Sequence, residues 1–388
     1  MFVLTLVLKN ALRHKLRTLL TITGIAIAVM AFGVLQTIVT AWSYGVEASA
    51  ANRMITRHAV SFIFPLPLAY REQSARQPGV SLVTHASWFQ GSYKDPNDWT
   101  NFFPRMAVDA ATFFEVYPEF ILPPDQMAAF VKERSACVIG AKLAKEKNMK
   151  IGDVIPIEGD IYPGSWEFVI RGIYTGKDAS TDETQMFFHW EYLNERIVQE
   201  SPSRANVVGW YVLKTTSAAN QPQIARGVDG SYENSRAATK TETEREFAQG
   251  FVSMSSAIIT SLEAVSYIVI LIILLVLANT IVMAARERTS EYAVLKTIGF
   301  SSGHIVGLIG GESLFIGILG AAAGLALTFP IAHGVGSAFP TMFPVFVVQP
   351  ATIVLAAAIG IASGAVAAVF PIARTLGTSI ASGLRSLG

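Results

Sequence analysis

The stretch "AVSYIVILIILLVLANTIVMAARERTSEYAVLKTIGF", residues 264 to 300, decides how this chain folds. Its first 22 residues carry no charge, and about 20 apolar residues suffice for a helix to cross a ~30 Å hydrocarbon core. The sequence then turns polar, placing Arg286, Glu287, Arg288, Glu291 and Lys296 within eleven residues. That polar stretch still specifies a helix of its own. Ser290 is suited to cap it, Glu291 falls in its first turn and Lys296 in its last, both signs matching the helix dipole, and Gly299 is placed to end it in the left-handed conformation. Tyr292, Leu295 and Ile298 recur at i, i+3 and i+6 and give it an apolar stripe. The spacing leaves two partners open for that stripe: the lipid interface or the chain's own spans, and a separate cytoplasmic protein.

Three more charge-free windows lie outward from this one. "LLTITGIAIAVMAFGVLQTIVTAW" (19 to 42) is bounded by Arg17 and Glu47. No Asp, Glu, Lys or Arg occurs between Glu312 and Arg374, a run long enough for two spans divided by "AHGVGSAFPTMFPVFVVQP". The expected order is a cytoplasmic amphipathic segment 1–18, span 19–42, an outer domain 43–262, span 263–285, a cytoplasmic loop 286–304, span 305–331, a short outer loop 332–350, span 351–372 and a tail 373–388. Orientation rests on Lys and Arg in the short flanks. Lys9, Arg13, Lys15 and Arg17 precede the first span, Arg286, Arg288 and Lys296 lie in the 286–304 loop, Arg374 and Arg385 follow the last span, and 332–350 has none. Both termini and the 286–304 loop are therefore expected in the cytoplasm. A cleaved signal peptide ending at "ASA" (48 to 50) is the competing reading of the N-terminus. The apolar run exceeds the ~7 to 15 residues of a signal core, and Trp42 and Tyr44 suit interfacial anchors.

Composition agrees with a membrane protein: 51% of the residues are hydrophobic, 15% are charged and the mean hydropathy is +0.42, too apolar for a soluble chain of this length. Yet 25 of the 29 acids lie in 43–262, against 21 Lys plus Arg. That segment reads as soluble and mildly acidic, without the basic patch nucleic acid requires. Runs such as "SACVIGAKLA", "GDVIPIEG", "WEFVIRGIYTG", "TQMFFHW" and "VVGWYVLKT" predict short strands in a mixed α+β domain. Residues 43 to 58 and about 240 to 262 lack Pro and carry helix formers, which predicts helical stalks continuing the two spans outward. Cys137 is the sole cysteine, so no intrachain disulfide forms, and burial in a strand is expected of it. There is no GxxxxGK[ST], HExxH or GxSxG pattern and the six histidines never take metal-ligand spacing, so no catalytic, cofactor or metal site is expected.

Glu312 lies about two turns inside its span, where an acid is costly. It is placed to pair with a cytoplasmic Lys or Arg or to reach the headgroups. The glycine pairs 303/307, 307/311, 320/324 and 360/364 have the small-xxx-small spacing of close helix packing. The spacing does not choose between packing within the bundle and a dimer seam.

"MAARERTSEYAVLKTIGFSSGHIVGLIGGESLFIGILGAAAGLAL" (283 to 327) resembles the signature of FtsX-like, MacB-type ABC transporter permeases: an Arg-Glu-Arg, a Glu-Ile-Gly-x-x-(Arg/Lys)-x-x-Gly run, then an acid and a Gly-rich span. The resemblance extends to "NALRHKLRTLLTITGIAIAV", "VIGAKLAKEKNMKIGDVIPIEG", "FVIRGIY" and the tail 371 to 385, covering nearly the whole chain, with the first half of the outer domain only weakly matched. It implies an integral membrane α-helical fold of four transmembrane helices, with a large α+β extracytoplasmic domain inserted between the first and second. It further implies that Arg286, Glu287, Arg288, Glu291, Leu295, Lys296 and Gly299 form a coupling helix that docks on a separate ATPase, and it favours a structural or coupling role for Glu312 over a proton relay. Tyr292 and Ala293 stand where the family has Ile-Gly, and Thr297 where Ala is common, departures that point to a dedicated ATPase.

The expectation is a permease subunit in a bacterial inner membrane. Two cytoplasmic ABC ATPase copies would bind ATP and Mg, a second permease copy or a paralogue would complete the membrane part, and no cofactor would sit in this chain. Membrane lipid is its other partner. ATP-driven motion would reach the outer domain, for export or extraction of a hydrophobic substrate, lipoprotein or peptide, with a periplasmic adaptor and outer-membrane channel as further partners of an exporter. The rival reading is an FtsX-like signalling regulator of a cell-wall hydrolase, against which the size of the outer domain argues. A membrane-anchored enzyme is a third, and it lacks a nucleophile or metal constellation.

Overall fold

The computed structural model describes residues 13, 15–47, 49–178, 181–339, 343 and 345–376. The expected amphipathic segment before Arg13 and the tail beyond Leu376 lie outside the described residues. The chain divides into two compact units, one holding the long apolar helices and the other formed by Trp42–Met254 with Phe339–Val345.

The helical unit contains α1 (Lys15–Glu47), α2 (Ser256–Glu287), the short α3 (Thr289–Thr297), α4 (Ser302–Ala338) and α5 (Pro350–Leu376). Among the described residues, α1, α2, α4 and α5 are long and apolar enough to cross a membrane. Their ends overrun the expected windows because a helix does not stop where hydrophobicity does. α4 continues through Pro330 to Ala338, seven residues past the expected end of its span, since a long helix packed on neighbours tolerates one missing backbone bond. The bundle core gathers Ile25, Val29 and Phe32 of α1, Leu277 and Ile281 of α2, and Ile305, Ile309 and Ile316 of α4.

Glycines set the approach of these helices. A Cβ at Gly320 would lie 2.6 Å from Ile25 Cβ, and one at Gly324 would lie 2.7 Å from the Ala26 carbonyl oxygen, so this pair is the seam between α4 and α1. Cβ atoms at Gly360 and Gly364 would meet Ala321 Cβ and the Ser313 carbonyl oxygen at 2.6 Å, the seam between α5 and α4. Gly307 has open space where its Cβ would be, and at Gly303 only Ser301 Oγ comes within 4 Å. The bundle therefore uses 320/324 and 360/364 and leaves 303/307 unused, a choice that spacing alone does not make.

The second unit is built on strands β1 (Arg53–His58), β2 (Leu66–Pro67), β3 (Val80–Trp88), β4 (Gly91–Ser92), β5 (Arg105–Val108), β6 (Phe120–Ile121) and β7 (Ala136–Gly140). It continues with β8 (Val154–Gly159), β9 (Gly164–Gly176), β10 (Met186–His189), β11 (Val207–Val208), β12 (Trp210–Thr215) and β13 (Thr239–Thr243). Eleven of them make one mixed sheet, in the order β13-β1-β12-β3-β5-β10-β7-β9-β8-β4 with β6 on β9, while β2 and β11 pair separately. The β5/β10 and β7/β9 pairs are parallel. The alternation read in "WEFVIRGIYTG" is the physical cause of β9: Trp166, Phe168, Ile170 and Tyr174 are buried in turn while the intervening residues are not. Cys137 is fully buried in β7, and burial pushes its thiol pKa up, so it behaves as a small apolar residue.

The stalks differ from expectation. α1 ends at Glu47, and 53–58 is strand β1, paired with both β12 and β13. Thr239–Thr243 is likewise a strand, and helix begins only at Glu244, runs to Met254 and is interrupted before α2 starts at Ser256. Residues with fair helix propensity are recruited into the sheet because each covers an edge of its neighbour, a tertiary term that outweighs local preference.

Candidate functional site

The charged stretch 286–300 does form its own helix, α3, but it starts two residues earlier than expected. Tyr292 N donates to the Arg288 carbonyl at 3.0 Å, so Arg288 takes the capping position, and Ser290 lies within the first turn. The far end closes as the sequence implies. Gly299 has φ +101°, its N–H donates to the Lys296 carbonyl at 3.2 Å and the Phe300 N–H to that of Leu295 at 3.0 Å. This paired closure satisfies two terminal carbonyls and needs a residue tolerant of positive φ. Five residues after Thr297, α4 begins at Ser302, so α3 is held at both ends by bundle helices.

The side chains expected to couple divide into groups. Arg288 is buried and its Nη1 donates to Glu312 Oε2 at 2.7 Å, which pairs the acid inside α4 with the residue that caps α3. Beside this pair is a cavity of about 30 Å³ lined by Thr18, Thr21, Thr280, Tyr292 and Ser313, large enough for a single water. Glu287 and Glu291 pair with arginines at and before the start of α1: Arg17 Nη2 donates to Glu287 at 2.8 Å and Arg13 Nη1 to Glu291 at 2.6 Å. Arg286 and Gly299 are exposed, Lys296 half-buried.

The apolar stripe splits in two. Tyr292 is buried in the bundle core and Leu295 packs partly against it, so these two serve the chain's own helices. Ile298 is 70% exposed and Val294 41% exposed. An apolar surface therefore remains on α3, carried by Val294 and Ile298 in place of Leu295. The geometry turns on 100° per residue: with Tyr292 and Leu295 committed inward, positions 294 and 298 lie one turn apart on another side.

The inserted domain carries a feature that no motif announces. Arg53, at the start of β1, is almost fully buried and donates to Glu119 at 2.6 Å and to Glu244 at 2.9 Å, with its guanidinium 4.3 Å above the Tyr117 ring. Glu244 also accepts from the Ala50 N–H at 2.8 Å. One carboxylate thus ties the segment entering the domain to the helix leaving it. A cleft of about 690 Å³ opens beside this network, walled by Trp42, Tyr117, Phe120, Trp210, Phe247 and Phe251. The only sequence signal was an arginine inside a run whose composition reads as helix, and its partners lie 66 and 191 residues away.

Among the described residues no group of His, Cys, Asp and Glu is arranged to hold a metal ion. Comparison with known proteins gives two family matches. The MacB-like periplasmic core domain matches residues 18–230, and the C-terminal region of FtsX-like permeases matches residues 263–380. The ABC transporter permease YtrF of Bacillus subtilis (strain 168) is 33% identical over 102 residues, 26% of this chain and 23% of that relative, so the match spans about a quarter of the relative's length. Similar solved structures include the periplasmic region of MacB from Actinobacillus actinomycetemcomitans, with 10% identity, a TM-score of 0.39 and coverage of 53% of this chain and 94% of that one. The extracellular domain of the noncanonic ABC-type transporter YknZ from Gram-positive bacteria has 10% identity, a TM-score of 0.36 and coverage of 50% and 100%. Since the first family match alone takes in more than half of the chain and the second accounts for the helices after the inserted domain, this bacterial membrane protein belongs to the FtsX-like permeases that carry a MacB-like periplasmic core domain.

Proposed function

We propose that this chain is the membrane subunit of an ATP-driven transporter whose ATPase is a separate protein, and that α3 is the element on which the ATPase docks. The observation that carries the reading is α3 itself: a nine-residue helix held between two bundle helices, with Val294 and Ile298 facing away from the core that Tyr292 and Leu295 join. The chain has no phosphate-binding loop of its own, and a family of ABC transporter permeases is where such a chain belongs. Two ATPase copies would bind ATP and Mg, and two permease copies, identical or paralogous, would face each other in the membrane. With the termini and α3 in the cytoplasm, closure of the ATPases would displace α3 and through the bundle move the inserted domain outside, for export or extraction of a hydrophobic substrate, a lipoprotein or a peptide. The extent of the inserted domain favours this over a signalling regulator of an extracytoplasmic hydrolase.

The test is Ile298→Asp. If Ile298 enters an apolar cleft of the ATPase, the variant buries an unpaired carboxylate, whose desolvation costs several kcal/mol and weakens binding by orders of magnitude. The ATPase should no longer co-purify, with membrane insertion of the permease unchanged. On a hydrated interfacial helix the same carboxylate stays in water, and retention of the ATPase at wild-type stoichiometry would remove α3 as the docking element.

A further inference from the structure

Two ion pairs join the start of the first helix to the α2/α3 junction. Arg17, in the first turn of α1, pairs with Glu287 at the end of α2 (2.8 Å), and Arg13, which precedes α1, pairs with Glu291 in the first turn of α3 (2.6 Å). They join points 278 and 270 residues apart in the chain. α1 leads into the inserted domain and α2 leads out of it, so these pairs fasten together the far ends of the two helices between which that domain is inserted. The partners differ from Arg288–Glu312 in exposure: Arg13 and Glu291 are 57% and 44% exposed and Arg17 and Glu287 28% and 40%, whereas Arg288 and Glu312 are 6% and 16%. Exposed pairs are individually weak and screened by salt, whereas a buried pair is screened much less and is costly to break.

We propose that Arg13 and Arg17 are positioning residues that form, with Glu291 and Glu287, a releasable electrostatic latch holding the coupling helix to the first span. Arg288–Glu312 is the fixed attachment of α3 to α4, and the latch is the adjustable one to α1. Displacement of α3 then reaches α1 through side chains as well as α2 through the backbone. The proposal rests on the docking role of α3, and it gives the N-terminal arginines a use beyond setting orientation.

The experiment reconstitutes the full chain with its ATPase in nanodiscs and measures how strongly the permease stimulates ATP hydrolysis. R13Q/R17Q should keep the ATPase bound at wild-type stoichiometry and lower the stimulation about fivefold at ~50 mM salt, the combined weight of two exposed pairs. The wild type should fall towards the variant as salt rises to ~500 mM, while the variant stays flat. R13K/R17K, which keeps both charges, should recover most of the stimulation and the salt dependence. Orientation of each variant is verified by cysteine labelling. R13Q/R17Q with wild-type stimulation and an unchanged salt profile, or R13K/R17K as impaired as R13Q/R17Q, would overturn the latch. Loss of the docking reading is recognised separately, because there Ile298→Asp keeps the ATPase at wild-type stoichiometry. In that case a short bismaleimide joining R17C to E287C in a Cys137→Ala chain still tests the pair, and absence of the cross-link counts against it.

Discussion

His85 shows what burial does to one side chain. It is 3% exposed in β3, edge-on to Trp190 at 4.9 Å, and neither ring nitrogen has a protein hydrogen-bond partner. Burial lowers its pKa to about 4, Arg71 adds to the lowering, and Asp109, 3.9 Å away, and Glu191 oppose it. The imidazole is thus neutral in the folded domain and titrates near 6.5 once unfolded. Below 6.5 the unfolded chain binds the extra proton, so the His85 contribution to stability is constant above that pH and falls as pH drops towards 4, by up to about 3 kcal/mol. Thermal unfolding of the purified chain between pH 7.5 and 4.5 should show this acid slope, and His85→Gln should flatten it. Equal slopes for both proteins would show that other groups carry the acid sensitivity.

Among elements, the seams of the bundle make the sharpest claim. Two glycine pairs with the same spacing behave differently because one faces a helix and the other does not. Gly320→Ala and Gly324→Ala each drive a methyl group into α1 at 2.6 to 2.7 Å, an overpacking that costs roughly 1 to 3 kcal/mol. Gly307→Ala meets nothing within 4 Å and should stabilise α4 by up to about 1 kcal/mol through helix propensity. Unfolding of the three variants in one detergent ranks them directly. A Gly307→Ala loss as large as that at Gly324 would mean that a second copy or another protein covers this face.

For the whole molecule, the orientation proposed from Lys and Arg predicts that α3 and the inserted domain lie on opposite sides of the membrane. Cysteines at Ser302 and Asn97, both exposed, in a Cys137→Ala background should be labelled by an impermeant reagent from opposite sides. Labelling of both from one side would overturn the four-span arrangement.

The four spans, α3, its glycine closure and the strands from β7 to β12 were legible in the sequence, because each depends on local terms: length of an apolar run, charge at a helix end, a residue that tolerates positive φ, or period-two alternation. β3, the stretch "VSLVTHASW", passed unread, since its polar residues Thr84, His85 and Ser87 are buried and mask the alternation. Residues 53–58 and 239–243 read as helix and became strands because their pairing partners are distant in sequence. The same holds for the site. Which residues make up α3 was plain, whereas only the packed bundle decided that Leu295 turns inward and Ile298 outward, that Glu312 meets Arg288, and that Arg13 and Arg17 reach across some 270 residues to Glu291 and Glu287. Sequence determines what an element is when the deciding energies lie within one or two turns of it, and tertiary structure decides which face it uses, because that choice depends on surfaces brought together only by folding.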